Sequence, residues 1–234
     1  MGKSEKSAAR TVILSQRQNF TKRKKRADPP PQQMRPEFGR YDMDFKDVVM
    51  KRRSIRKYTD EPVSEEDLQY ILECGMSAPS AVNLQPWYFV VVRSKEQMAR
   101  LCEVMSDSSD KLSDDLHAIF KSHPEVVAET LSFLRKLGGA PIVILAFRHK
   151  PSYPKKDGAI VQSVSAALEN IALAAVDRGL GSCWMTAPME TADDTRLREM
   201  FAPECGEMVA LMTIGHPAQA PRPIPHKPGR YVII

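Results

Sequence analysis

Apolar residues along the chain alternate between helical spacing and continuous runs, and the switches between the two mark out its elements. Phe45, Val48 and Val49 recur at helical spacing within Asp44–Arg52 and predict a short helix. Ser64 follows as an N-cap, with Val63 set to staple onto Leu68 and the acids Glu65, Glu66 and Asp67 in the first turn. These signals predict a second helix from about Glu65 to Gly75. Trp87–Val92 is instead a continuous aromatic and β-branched run that starts just after Pro86, the pattern of a buried strand. Residues 95–136 are amphipathic and predicted mostly helical, with breaks near Ser106–Asp110 and at Pro124.

Pro141–Phe147 reads as a second buried strand. From Ile160 to Arg178 the pattern changes again. Val161, Val164, Ala167, Leu168, Ile171, Ala172, Ala174 and Ala175 cover nearly every side of one helix, which therefore needs burial all round, at a subunit interface or at the domain centre. Gly179 is a natural stop for it. Gly181–Thr186 predicts a strand or loop, and Met208–Ile214 a further strand. The proline-rich arm Pro221–Pro228 ends in Gly229–Ile234, an apolar tip that such an arm cannot bury by itself.

Composition limits the class. At 234 residues and 42% hydrophobic, the chain can bury one substantial core, and no apolar run approaches the ~20 residues of a membrane span. The net charge of +5 raises a nucleic-acid reading, but residues 1–42 carry 11 Lys/Arg against 4 Asp/Glu, a net of +7, which leaves −2 for the rest. The positive charge belongs to a tail in which Lys22–Arg26 precedes Pro29–Pro31, a composition expected to stay extended or disordered. Nucleic acid is therefore not an expected partner of the body. Cys74, Cys102, Cys183 and Cys205 form no C-x-x-C pair and no metal-ligand cluster with the five histidines, so no metal is expected and a cytoplasmic setting with reduced thiols is. Hydrolase, zinc, P-loop and Rossmann motifs are all missing.

Chemistry concentrates in Arg52-Arg53-Ser54-Ile55-Arg56-Lys57, four cations and a hydroxyl within six residues at the end of the first helix. Guanidinium groups match phosphate oxygens, each charge-assisted contact being worth roughly 1.5–3 kcal/mol. A basic run at a helix end also complements the helix dipole as a solvated face. The run alone leaves both readings open. One helix later comes Ala78-Pro79-Ser80-Ala81-Val82-Asn83-Leu84-Gln85-Pro86-Trp87.

Together, Arg52–Arg56 and Pro79–Trp87 resemble the paired signature of the nitroreductase family of FMN-dependent oxidoreductases, and the likeness runs from about Met43 to the C-terminus. It implies an α+β fold, a three-layer α-β-α sandwich with a central mixed sheet and the C-terminal strand exchanged between the subunits of a homodimer. It divides the chain into a basic extension, 1–42, and an FMN-binding domain, 43–234. By the same resemblance, Arg52 and Ser54 hold the FMN phosphate and ribityl chain, Arg53 lines the same wall, and Arg56 sits near the pyrimidine edge. Pro79, Ser80, Ala81 and Asn83 match positions that reach the flavin from the partner subunit. Gln85 either contacts the flavin or orders its own turn. Trp184, Met185, Thr186 and Ala187 match the segment passing the flavin N5 side, where no side chain is expected to be catalytic but Thr186 offers a hydroxyl. Thr186 also reads as an ordinary strand threonine bonded to backbone. Lys227 and Arg230 match basic residues that close the phosphate site, with no way to choose between them.

The function so implied is electron transfer from NADH or NADPH through flavin N5 to a small organic acceptor such as a nitroaromatic or quinone, in ping-pong fashion. Alternatives on the same fold are reductive dehalogenation, as in iodotyrosine deiodinases, oxidative destruction of the flavin, and non-enzymatic flavin binding. The deiodinases grip their substrate with a Glu/Tyr/Lys trio, and residues 95–136 hold no tyrosine.

Overall fold

A computed structural model describes residues 43–149, 157–223 and 225–234, so the expected basic extension 1–42 lies outside the described residues. Helix α1 (Phe45–Lys51) is capped by Asp44, whose carboxylate accepts the Lys46 N–H at 2.8 Å. Of its three periodic apolar residues only Val48 is buried. Helix α2 (Glu65–Met76) begins as its sequence predicts, with Ser64 Oγ accepting the Asp67 N–H at 3.0 Å.

Strands β1 (Trp87–Val92), β2 (Ile142–Arg148), β3 (Gly181–Met185) and β4 (Met208–Gly215) form one sheet in the order β1-β2-β4-β3. Registered rows cross the whole sheet. Val91, Ile144, Met212 and Trp184 form one row, facing α2 and α5 (Asp157–Asp177). The next row, Val90, Leu145, Leu211 and Met185, faces α3 (Lys95–Ile119), α4 (Pro124–Lys136) and α7 (Asp194–Phe201). Helices on both faces explain why the strands read as continuous apolar runs instead of alternating ones. The result is the three-layer α+β sandwich expected.

Three expectations need correction. Among the described residues every strand pairing is antiparallel, and the only parallel element is an isolated bridge between Ser54 and Ser182, so one chain does not form a mixed sheet. The exchanged C-terminal strand, a matter between two chains, is not among them; within one chain Tyr231–Ile234 form no strand and stand almost wholly exposed. Strand β1 is an edge strand with β2 as its one neighbour, which leaves Tyr88 exposed and Phe89–Val91 half-buried. The break expected near Ser106–Asp110 does not occur, because α3 runs through it. Ser108 and Ser109 are fully buried there, and their hydroxyls bond across to Asp193 at 2.7 Å and to the Leu131 carbonyl at 3.2 Å. Residues that read as a helix breaker are cross-links between elements.

Helix α5 answers the question its sequence posed. It buries Val164, Ala167, Leu168, Ile171 and Ala175 against the sheet and α2, which makes it the domain centre. The same apolar content makes Gly158–Asp177 long and apolar enough to cross a membrane by composition, contrary to the expectation that no segment would be. Half of it is buried in the fold, as a core helix must be. Gly179 stops the chain beyond it at φ +70°.

Candidate active site

Between α1 and Thr59 the chain is extended and stitched to three elements. Ile55 N–H donates to the Ser182 carbonyl at 2.8 Å, Tyr58 N–H to Gly138 at 3.0 Å, and Thr59 N–H to His216 at 3.0 Å. Two glycines permit this close approach. A Cβ on Gly181 would lie 2.6 Å from Ile55 Cγ1, and one on Gly138, itself at φ +64°, would lie 2.3 Å from the Arg56 carbonyl oxygen. Tyr58 anchors the segment from below, its hydroxyl donating to the Ile55 carbonyl at 2.7 Å and meeting Thr213 Oγ1 at 2.7 Å. Burial pushes its phenol well above the usual range.

An extended segment sends successive side chains to opposite sides, and that alternation sorts the predicted clamp. Ser54 and Arg56, with Lys57, line a cleft of about 650 Å³ completed by Ser132, Phe133 and Lys136 of α4 and by Gly138 and Gly139. Arg53 and Ile55 line a second cavity of about 350 Å³ with Val176, Leu180 and Gly181. Arg53 thus departs from the expectation that it shares a wall with Ser54. Its Nη1 donates to the Arg52 carbonyl at 2.6 Å, and its buried Nε has no partner. Arg52 turns outward to Glu169 of α5 at 3.4 Å.

The larger cleft is electropositive. Among the described residues Arg56, Lys57 and Lys136 make no ion pair. Glu129 is the one acid in its lining. Arg56 is held over the Phe133 ring, 5.9 Å from its centroid. Burial pushes the Cys183 thiol up, against the opposing charge of Arg56. Sequence reasoning missed Ser132 and Lys136, about eighty residues from the clamp; Lys136 carried no signal beyond that of a cation ending a helix.

The other predicted residues stand apart from both clefts within one chain. Pro79, Asn83 and Gln85 are exposed, with Ser80 and Ala81 half-buried, in a loop tied to α5 by a 3.2 Å bond from Ala81 N–H to Ser163 Oγ. Gln85 Nε2 donates to Asn83 Oδ1 at 3.0 Å, which assigns it to ordering the turn in this chain. Val82, Asn83 and Gln85 all have left-handed backbone, at φ +47°, +56° and +47°. Trp184 and Met185 point to opposite faces of the sheet. Thr186 lies past the end of β3, exposed, its hydroxyl making no cap and no bond among the described residues, so it is not a strand threonine. Ala187 opens the short helix α6 (Ala187–Glu190). Lys227 and Arg230 are exposed on the arm. Among the described residues no three His, Cys, Asp or Glu side chains gather as metal ligands.

Comparison with known proteins matches residues 49–216 to the sequence profile of the nitroreductase family. An NADH dehydrogenase of Thermus thermophilus is 31% identical over 201 residues, 82% of this chain and 96% of that protein. An iodotyrosine deiodinase of Thermotoga neapolitana is 28% identical over 192 residues, 80% of this chain and 95% of that one. Among solved structures, a nitroreductase with bound FMN from Bacteroides fragilis aligns at a TM-score of 0.63, with 25% identity over 82% of this chain and 99% of the other.

Proposed function

Because the chain belongs to the nitroreductase family, we propose that it is an FMN-dependent oxidoreductase passing electrons from NADH or NADPH to a small organic acceptor such as a nitroaromatic or quinone. The observation that carries this reading is the cleft in which Ser54, Arg56, Lys57 and Lys136 converge with no ion-paired acid. Three cations against the single acid Glu129 call for an anionic ligand, and about 650 Å³ is within the ordinary size of cofactor pockets. FMN fits that demand at two places, its phosphate and its N1/O2 edge.

FMN, held there, would supply hydride-transfer chemistry at its N5 atom. The chain's own residues do the rest. Ser54 would hold the phosphate end, while Arg56 and Lys136 would supply positive charge to the pyrimidine edge; Arg52, which lines neither cleft, would reach the phosphate only by leaving Glu169. At the far end of β3, Thr186 offers its free hydroxyl toward N5. Donor and acceptor use the same pocket in turn, which makes turnover ping-pong. Since Pro79–Gln85, Lys227 and Arg230 line neither cleft in one chain, the complete site is that of a homodimer, the loop and arm coming from the second copy. The exposed apolar tip Tyr231–Ile234 is the surface such a dimer covers. The reduced thiols of Cys74, Cys102 and Cys183 accord with a cytoplasmic setting.

A deiodinase reading of the same site has less support, because α3 and α4 hold no tyrosine. The test is to titrate the apoprotein with FMN and mix the loaded protein anaerobically with NADH or NADPH, then with a nitroaromatic, a quinone and a halophenol. Bleaching by a nucleotide and recovery with the first two acceptors is expected. A protein that stays colourless in excess FMN is not a flavoenzyme, and recovery with the halophenol alone makes it a dehalogenase.

A further inference from the structure

A buried polar knot ties the long helix α3 to the turn that follows β3, and the proposed function leaves it unused. Asp193 is only 5% exposed. Its carboxylate accepts hydrogen bonds from Ser108 Oγ at 2.7 Å, Thr191 Oγ1 at 2.8 Å and Lys111 Nζ at 2.5 Å. Ser108 and Lys111 stand three residues apart, on one face of α3. On the other side of the knot, Asp193 N–H donates to the Pro188 carbonyl at 2.8 Å and Met189 N–H to the Thr186 carbonyl at 3.0 Å. The Thr191 hydroxyl also lies 3.2 Å from the Ala187 carbonyl oxygen. Ala192 takes a left-handed φ of +59° between Thr191 and Asp193, a conformation that persists only where its surroundings over-determine it.

Burial pushes the Asp193 carboxyl up, yet the Lys111, Ser108 and Thr191 donors together outweigh it and hold the group below the ordinary carboxylate range. Such a pair is a poor way to gain stability, since desolvation cancels most of the attraction and an apolar cluster of equal volume holds two elements as well. A carboxylate with three donors offers something an apolar cluster lacks, which is a fixed direction.

We infer that Asp193 is a positioning residue. Through Thr191 and Pro188 it sets where Thr186 and Ala187 stand, and through Ser108 and Lys111 it makes that placement depend on α3. The inference rests on the reading of Thr186 as the residue bordering the flavin N5. A second link from α3, Arg196 Nη1 of the adjoining α7 to Asp107 Oδ2 at 2.6 Å, is exposed at both ends and serves as an internal control.

The experiment compares Asp193→Asn, Lys111→Met and Arg196→Ala. Hydrogen exchange is followed in the apoprotein, and the visible spectrum and midpoint potential are measured in the FMN-loaded protein. Asp193→Asn should speed exchange within residues 186–193 by about tenfold, the loss of one charge-assisted hydrogen bond. It should also shift the potential of bound FMN and lower kcat more than it changes KM for the nucleotide. Lys111→Met should do the same more weakly, and it decides the matter if Asp193→Asn does not fold. Arg196→Ala should change none of these. Unaltered exchange in 186–193, an equal response to Arg196→Ala, or faster exchange with the flavin spectrum and potential unmoved would each overturn the inference. If the wild-type chain takes up no FMN, the function it rests on fails as well, a case recognised because exchange still responds to Asp193→Asn.

Discussion

The two faces of the sheet solve the same packing problem by different means. On the α2–α5 side, the middle of the layer is mostly small and apolar, Ala167, Ala172, Ala174 and Ala175 bringing α5 close, and α5 reaches α2 through the buried Arg178 guanidinium, which meets Glu66 and Asp67, and through Asn170, which donates to the Cys74 carbonyl at 3.0 Å. On the α3–α4–α7 side, the carboxylate of Asp193 and the hydroxyls of Ser108 and Ser109 are themselves buried and bond from one element to another. Apolar burial is strong but non-directional, so the alanine-rich centre of the first face adds stability without an angular constraint of its own. Hydrogen bonds between elements fix orientation, and they occur on the face that leads into Thr186 and α6.

The comparison can be broken first on its apolar side. Ile171 is fully buried, so Ile171→Ala should cost about 2–5 kcal/mol of unfolding free energy, read by urea denaturation at neutral pH, with no change in the acid dependence. A cost under about 1 kcal/mol would show the layer to be loosely packed. A smaller effect belongs to the polar side. The Asp193 carboxyl is depressed in the fold, so the stability it contributes is fully present above the unfolded carboxyl value of about 3.9 and is lost as pH falls through the lower folded value. Urea midpoints should therefore drop in acid for the wild type, and drop less for Asp193→Asn. Parallel curves would remove the contrast between the faces. The smallest stability effect is expected at Arg52. Its pair with Glu169 is well exposed, so Arg52→Ala should alter stability by less than about 1 kcal/mol, while FMN affinity falls about tenfold to hundredfold if the guanidinium holds phosphate.

Local chemistry in the sequence was enough to find Ser64 as a cap, Gly179 as a stop and three of the four strands, with Gly181–Thr186 left between strand and loop. It failed where a residue's meaning depends on something distant. Ser106–Asp110 has the composition of a break, and only the arrival of Asp193 and Leu131 turns it into helix interior. The arginine run was legible as an anion site, yet the alternation that sends Ser54 and Arg56 one way and Arg53 the other needed the extended backbone beside Ser182. Lys136 and Ser132 had no local signature, because α4 reaches the clamp through tertiary packing alone. Strand β1 read as buried because an edge strand covered on both faces by helices differs from a central one only in its missing neighbour.

The loop at Val82, Asn83 and Gln85 shows where folding and function pull apart. Left-handed backbone at a non-glycine residue costs of order 1–3 kcal/mol, against a total stability of about 5–15 kcal/mol for a domain. Of the three, only Asn83 is a type that tolerates the conformation well, and Val82, β-branched and 72% exposed, returns nothing to the core. Selection for foldability alone would have put glycine there long ago. A stability-guided library should therefore find its easiest gains in this loop, and those gains are the ones most apt to erode whatever the strained loop is held ready to touch.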